Sequence, residues 1–579
     1  MEYPSKELQE LIDSLVEIEK VLENIDTNIT NDVALYERIY LLIKNKIGEI
    51  PEKNLFQTDL YFNAKQAILD SSIQETIKDT IAFLNKITPS NSNPNLEIFK
   101  KNFLERYEDI EIPLLQALDV ENGIGYIAKD TSGVNDLIDD LAFPLSYSDF
   151  EIRWSAYQET IFKILLKAYK EEATCITLTT KDFDNIDFTD NNLPHSMAIK
   201  FDLIDASSGK INLEGIGGAS ATSLLGRFGH GDENLLEIIN EITQHEVNRA
   251  QGSILAEIVH LPESRIGNIL SRPTIRDFEL PYLAKSSVPQ DNQIEISDLY
   301  VSIQNGNIIL RSKKRNKQII PRLGNAHNFS FNALPVYQFL CDLQTQYYTK
   351  PALYFNWGNL ASQFTFLPRV EYKNVILKAA TWQLNAKDFE ELTNKNNESK
   401  LNTVFNDFVK KFKLPRFFVL ADGDNELLID SNDEIAILAF VDSLKNRNSV
   451  QLKEILYNIE MPFIKDDSGN SFTNECIAIL LNDGKETPLP DLDKINKIVQ
   501  NEIASNYLPG NEWLYFKIYS GVKTGDYILT EKILPLVNDL LNDGSIQKWF
   551  FIRYYDTDNH IRFRVQLKNN DESDIVLKK

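Results

Sequence analysis

Segments with a repeat of 3.6 residues alternate with segments of repeat 2 along the whole chain. That mixture excludes an all-helical bundle and an all-strand sandwich alike. Leu8, Leu11, Leu15, Ile18, Leu22 and Ile25 recur at helical spacing with charges between them, which predicts an amphipathic helix over 5–26. Similar patterns predict helices over 34–45, 73–87, 95–107, 150–172, 234–250, 334–346, 435–445 and 529–541. Strands are predicted at 55–62, 175–180 and 513–521, on both sides of Ser207–Gly209, and as a strand pair within 413–434. DLYVSIQNGNIILRS (298–312) sets Asn305-Gly306 between two β-branched runs, the pattern of a two-residue hairpin. The class is α+β, multi-domain, with mixed helices and antiparallel sheets. Pro509-Gly510 separates a helical segment from a new strand, so 1–505 and 506–579 are read as separate units.

The chain has 579 residues and a net charge of −25, from 85 acids and 60 bases. An acidic surface repels phosphate, which excludes general nucleic-acid binding but leaves room for a local basic site. Cys175, Cys341 and Cys476 form no Cys-x-x-Cys pair, so they read as buried hydrophobes and not as a disulfide framework or zinc ribbon. The acidic, amphipathic first residues are unlike a signal peptide, and no apolar run is long enough to span a membrane. A cytoplasmic protein is expected. His230 and His245 lack ligand spacing, so no metal site is proposed, and GIGGAS (215–220) lacks the phosphate-loop pattern.

The segment FFIRYYDTDNHIRFRVQLKNN (550–570) predicts a terminal hairpin whose strands, 551–555 and 560–567, flank a four-residue turn. If Tyr555 pairs with His560, Arg553 lies opposite Arg562, and Arg564 and His560 share their face. Facing guanidinium groups repel, so either an external carboxylate or phosphate joins them, or acids of the same chain do.

Other cations cluster in two places. Arg311, Lys313, Lys314, Arg315, Lys317 and Arg322 form a run without an acid, read either as a phosphate footprint or as a solvated strand edge. HLPESRIGNILSRPTIRDFE carries Arg265, Arg272 and Arg276 just after His260. These arginines either contact substrate anions or pair with Glu257, Glu263, Asp277 and Glu279. Asp59 on its predicted strand reads as an edge residue, and His327 as either a catalytic or a buried, satisfied imidazole.

The motifs LFQTDLY, FLERYEDIEIPLLQALDVENGIGY, SATSLLGRFGHGDENL, AEIVHLPESRIGNILSRPTIRDFELPYL, IIPRLGNAHNFS, FNWGNL and FLPRV, in this order, resemble the lantibiotic dehydratases of the nisin-dehydratase type. WLYFKIYSG and WFFIRYYDTDNHIRFR resemble the start of that family's elimination domain. The resemblance implies glutamylation of Ser and Thr of a ribosomal precursor peptide from glutamyl-tRNA as co-substrate, with no other cofactor. Elimination of glutamate then leaves dehydroalanine or dehydrobutyrine. It implies a glutamylation region over 1–505 and the beginning of an elimination domain over 506–579. It assigns Arg553, Arg562 and Arg564 to elimination, Arg265 and Asp59 to glutamylation. Substrate or tRNA contact is proposed for Arg272, Arg276, Arg311, Lys313, Lys314, Arg315, Arg322 and His327. His560 is not the family's elimination histidine, which lies further along. The family is longer at both ends, so the chain is expected to be a fragment, a frameshifted product or one subunit of a split enzyme. The partners implied are the precursor, glutamyl-tRNA and either a second copy or a complementing chain. The alternative is an inactive fragment or a scaffold that binds a partner.

Overall fold

The computed structural model describes residues 6–28, 31–48, 55, 58–59, 61, 68–127, 154–190, 192–261, 270–330, 333–394, 400–423, 425–456, 464–465, 468–469, 471–484, 486, 489–494, 496–497, 511–555, 558–569 and 573–578. Amphipathic spacing set the helices within a few residues: Lys6–Asp26, Val33–Ile47, Ser71–Ile87, Pro94–Tyr107, Glu233–Arg249, Pro335–Leu343 and Glu434–Leu444, whereas the helix expected over 150–172 runs Ala156–Lys170, with Trp154 and the capping Ser155 outside it. The segment read as one helix over 529–541 is part of a longer run, Val522–Ile528, a π turn Leu529–Ile533, then Leu534–Asn542. Pro535 explains the break, because it has no N–H to donate to the preceding turn. Of the strand expected at 55–62, residues 55, 58–59 and 61 lie outside any strand, and 56–57, 60 and 62 fall outside the described residues.

Four larger sheets organise the chain. One runs, in spatial order, Asn496–Lys497, Ile110–Pro113, Leu299–Gln304, Asn307–Ser312, Lys317–Arg322, Ile254–Val259 and Phe278–Pro281. The helices Pro94–Tyr107 and Pro335–Leu343 bury Phe99, Phe103, Phe339 and Leu340 against it. Asn305 and Gly306 turn the expected hairpin with φ of 50° and 76°, the left-handed pair such a tight turn requires. At one end of this sheet three neighbouring strands run parallel, Lys317–Arg322 and Phe278–Pro281 flanking Ile254–Val259, and at the other end Asn496–Lys497 runs parallel to Ile110–Pro113.

A second sheet holds Cys175–Leu178, Arg369–Tyr372, Val375–Lys378, Lys210–Gly217, Ser196–Asp205 and Cys476–Leu481, with Ala352–Leu353 beside the fourth. The segment 476–497 therefore gives an edge strand to each of the two large sheets. A third, five-stranded sheet over 366–454 packs against the helices Ala386–Thr393, Leu401–Phe412 and Glu434–Leu444. The fourth has Asn559–Leu567 at its centre, between Trp513–Tyr519 and Ile546–Tyr555. Its own core joins Ile561, Phe563 and Val565 to Leu529, Ile533, Val537 and Leu540 of the helical run. Among the described residues, no helix is long and apolar enough to cross a membrane.

Candidate functional site

The terminal sheet corrects the expected hairpin. Tyr555 pairs with Asn559, not His560, so Arg553 lies opposite Ile561 and Arg562 opposite Ile552. A one-residue slip in register exchanges the faces. The sequence left this open because Trp549, Phe550, Phe551 and Ile552 are apolar on both faces. Arg553 consequently sits on the helix-covered side, where it pairs with Asp526. Arg562 and Arg564 stay together on the other face, two residues apart on one strand. Lys517 and Tyr515 of the neighbouring strand lie directly opposite them.

Neither guanidinium is open to an external anion in this state. Glu121, from the distant loop after Leu118, gives one carboxylate oxygen to Arg562 and the other to Arg564. Arg562 lies 3.4 Å from the centre of the Tyr554 ring, and Arg564 4.6 Å from that of Tyr515. Arg562 Nε donates to His560 Nε2 at 3.1 Å, which requires that nitrogen to be unprotonated. Burial and then the charge of Arg564 lower the Arg562 pKa, with Asp119 opposing. Arg564 Nη1 has no hydrogen-bond partner among the described residues. Two cations thus share one carboxylate across an aromatic wall, a geometry suited to carboxylate exchange.

The central arginines are internal. Arg276 is buried between Glu246, at 2.6 Å, and Glu257, at 3.2 Å. Ser196 Oγ donates to Glu246 and accepts from the Ala221 amide at 2.8 Å. Glu257 also receives Arg272 at 2.9 Å and the Gly324 amide at 2.5 Å. A Cβ on Gly324 would stand 2.4 Å from Ile275 Cδ1 and 3.0 Å from Glu257 Oε1, so a side chain there would push both of them aside. Burial pushes Glu246 up, but Arg276, Arg322 and the Ser196 and Ser220 hydroxyls outweigh it and hold its carboxyl below the ordinary value. Arg322 is 1% exposed and donates to Tyr348 Oη at 3.1 Å. Arg311 is 4% exposed and engages both oxygens of Glu111. Contact between tRNA phosphate and Arg276, Arg311 or Arg322 is therefore incompatible with their burial. Sequence reasoning offered Glu257 as a partner of these arginines but missed Glu246, and both left a signal. Glu246 continues the buried helical stripe Ile239, Ile242, Thr243, and Glu257 interrupts the apolar strand ILAEIV.

The basic run divides by strand geometry. Arg311 and Arg322 turn inward, while Lys313, Lys314 and Arg315 form the turn between their strands. Asp298 anchors that turn by accepting from Ser312 Oγ and from the Lys314 amide at 2.8 Å. Lys313 and Lys314 are exposed, and Arg315 lies 5.1 Å over the Phe278 ring.

Asp59 pairs with Arg227, a residue the sequence reading passed over inside GRFGHG. Tyr61 Oη donates to the Phe228 carbonyl at 3.1 Å, which fastens this segment to the same turn. The turn is close to the central network, since a Cβ at Gly226 would meet Gly324 O at 2.0 Å and Arg272 Cδ at 3.8 Å. His327 is buried, with Nδ1 2.9 Å from Tyr337 Oη. Arg265 lies outside the described residues. Among those described, no cluster of three or more His, Cys, Asp or Glu could hold a metal.

Comparison with known proteins gives two family matches. "Lantibiotic dehydratase, N terminus" covers residues 3–437, and "Lantibiotic biosynthesis dehydratase C-term" covers 513–579. The subtilin biosynthesis protein SpaB of Bacillus subtilis is 25% identical over 520 residues, 86% of this chain and 49% of SpaB. The nisin biosynthesis protein NisB of Lactococcus lactis subsp. lactis is 21% identical over 599 residues, 97% of this chain and 54% of NisB. The chain thus spans about half the length of the curated relatives it matches. The crystal structure of the tRNA dependent lantibiotic dehydratase MibB from Microbispora superposes with a TM-score of 0.66 at 18% identity, over 99% of this chain and 54% of MibB. The glutamylation domain of TbtB from thiomuracin biosynthesis, bound to 5'-phosphodesmethylglutamycin, gives 0.50 at 15% identity, over 80% of this chain and 57% of that one. At these identities the structural likeness is one of fold.

Proposed function

Because the chain belongs to the lantibiotic dehydratases, we propose that it forms part of a tRNA-dependent peptide dehydratase. In this reading residues 1–505 belong to the region that moves glutamate from glutamyl-tRNA onto Ser or Thr of a precursor peptide. Residues 506–579 begin the unit that expels glutamate to leave dehydroalanine or dehydrobutyrine. The reaction runs in the cytoplasm, where glutamyl-tRNA is made. A hydroxyl is a poor leaving group and a glutamyl carboxylate a better one, which is the chemical reason for the detour.

One observation carries the reading: Glu121 seated between Arg562 and Arg564. A glutamate side chain already occupies a paired-arginine cradle of the kind a departing glutamate requires. Arg562 and Arg564 are assigned to that carboxylate, and Arg553 to holding the helical cover through Asp526. Asp59 with Arg227, and Arg265, are assigned to the glutamylation half. Lys313, Lys314 and Arg315 form the exposed cationic turn offered to tRNA phosphate.

The test is co-expression of this chain with a precursor peptide, with and without the remaining segments of a lantibiotic dehydratase. Loss of one water per Ser or Thr reports dehydration. Gain of one glutamyl residue reports arrest before elimination. Arg562→Ala in the complete set should accumulate the glutamylated peptide. If the complete set changes no mass while glutamyl-tRNA and precursor are present, the reading is wrong. A scaffold role, with either a second copy or a complementing chain as partner, is favoured by Glu121 filling the cradle from within. It predicts that this chain alone binds precursor without altering it.

A further inference from the structure

The three parallel strands Lys317–Arg322, Ile254–Val259 and Phe278–Pro281 end along one edge of their sheet. The carboxyl ends of parallel strands are where a sheet of this kind gathers a ligand crevice. Here they bound a cavity of about 300 Å³ whose lining includes His260, Tyr282's neighbour Leu283, Arg272, Asn325 and Tyr337.

Its polar groups are incompletely used. His260 is 6% exposed, and its Nδ1 lies 2.7 Å from the Tyr282 carbonyl. A carbonyl only accepts, so Nδ1 carries the proton and Nε2 presents a lone pair. That Nε2 is shielded from bulk water and has no hydrogen-bond partner among the described residues. Asn325, 3% exposed, uses its oxygen for the His327 amide and leaves Nδ2 unpartnered. Arg272 Nε is likewise unpartnered, while its terminal nitrogens are fixed by Glu257 and the Leu270 and Ile258 carbonyls. The Tyr337 and Tyr282 rings, centred 4.5 and 5.1 Å away, hold the imidazole in place. Buried polar groups are normally satisfied, so a lone pair and two donors left idle at one cavity point to a missing occupant.

We infer that His260 Nε2 is the base that accepts the hydroxyl proton of the peptide Ser or Thr as glutamate is transferred. The inference rests on the function proposed above. The hydroxyl oxygen forms a bond to the glutamyl carbonyl carbon, and the bond from that carbon to the ribose oxygen of the tRNA breaks. The proton passes from the hydroxyl to Nε2 and then to the departing ribose oxygen, so charge and atoms balance without a further reactant. Asn325 Nδ2 and Arg272 Nε are the donors available to the carbonyl oxygen as it gains charge. Burial lowers the His260 pKa, which favours the free base, and its bond to the Tyr282 carbonyl opposes this. The titratable groups around it are Tyr282, Tyr337, Arg272 and Lys285.

Asparagine at this position can still donate to the Tyr282 carbonyl but removes Nε2. In the complete reaction, His260→Asn should slow glutamyl transfer by about a hundred- to ten-thousandfold. It should also abolish the acid limb of the rate profile, which a merely structural role would not remove. Transfer at the wild-type rate overturns the inference while leaving the proposed function intact. No transfer by the wild type overturns both. Nitrogen NMR of the unmodified full chain provides a measurement independent of turnover and of the variant's folding. N-acetyl-serinamide should shift the His260 Nε2 resonance, and N-acetyl-alaninamide should not. Equal shifts, or none, refute the assignment.

Discussion

Replacing Glu121 by alanine removes the carboxylate shared by Arg562 and Arg564. The three side chains are 13%, 14% and 21% exposed respectively, so the pair is neither a surface ion pair nor a fully buried one. Exposed pairs are worth about 0–1 kcal/mol, and stripping one partner from a buried pair costs about 3–5 kcal/mol. This site lies nearer the second limit, which gives about 2–4 kcal/mol, with adjacent guanidinium repulsion included. At 1.4 kcal/mol per decade, that is a loss of roughly thirty- to several-hundredfold in protection. The assay is hydrogen exchange on the amides of Asn559–Leu567. Arg562→Ala in the Glu121→Ala background should recover part of the loss, because it removes one of the two unpaired cations. Free glutamate should protect Glu121→Ala by occupying the vacated cradle, regaining about 2.7 kcal/mol at a hundredfold excess over its dissociation constant. It should do little for the wild type. Exchange in Glu121→Ala within a factor of two of wild type would show that Glu121 is not seated on the arginines. Loss of protection without rescue by glutamate would show that the cradle does not take an external carboxylate.

Glu246→Gln leaves Arg276 without its nearest anion at a fully buried site and should destabilise by about 3–5 kcal/mol in urea denaturation. Because the folded pKa of Glu246 lies below its ordinary value, its stabilisation is complete above that ordinary value and is lost as pH falls through the folded one. The difference between wild type and Glu246→Gln should therefore shrink on acidification below about pH 4.5. Gly306→Ala meets no atom within 4 Å, so its effect comes only from φ of 76° and should be about 1–2 kcal/mol by thermal melting. Lys313→Glu with Lys314→Glu should weaken tRNA association and lower the magnitude of its salt slope by about 2, read from binding at several salt concentrations.

What was legible in the sequence is what is local. The helices announce themselves through apolar stripes such as Ile73, Ile77, Ile81 and Leu84, and Asn305-Gly306 reports its own turn. The family likeness was legible because ordered motifs survive where overall identity is low. The site was only partly so. Arg562 and Arg564 were found, but the acid that joins them comes from residue 121, and nothing in either segment encodes the meeting. The hairpin register failed for a physical reason already visible in Trp549–Ile552, a strand with two apolar faces that alternation cannot orient. The parallel strand triplet was missed because Ile254–Val259 and Phe278–Pro281 are each too short to declare their direction. The cavity at their ends emerges only once those strands are aligned.

The stretch 476–497 lays one strand on each large sheet, with fourteen residues, 482–495, between the two strands. It works as a suture. A protease nick in that connection would uncouple the two border strands from each other while leaving each paired in its own sheet. Any substrate-driven shift in the layer that carries the arginine network would reach its companion through this thread.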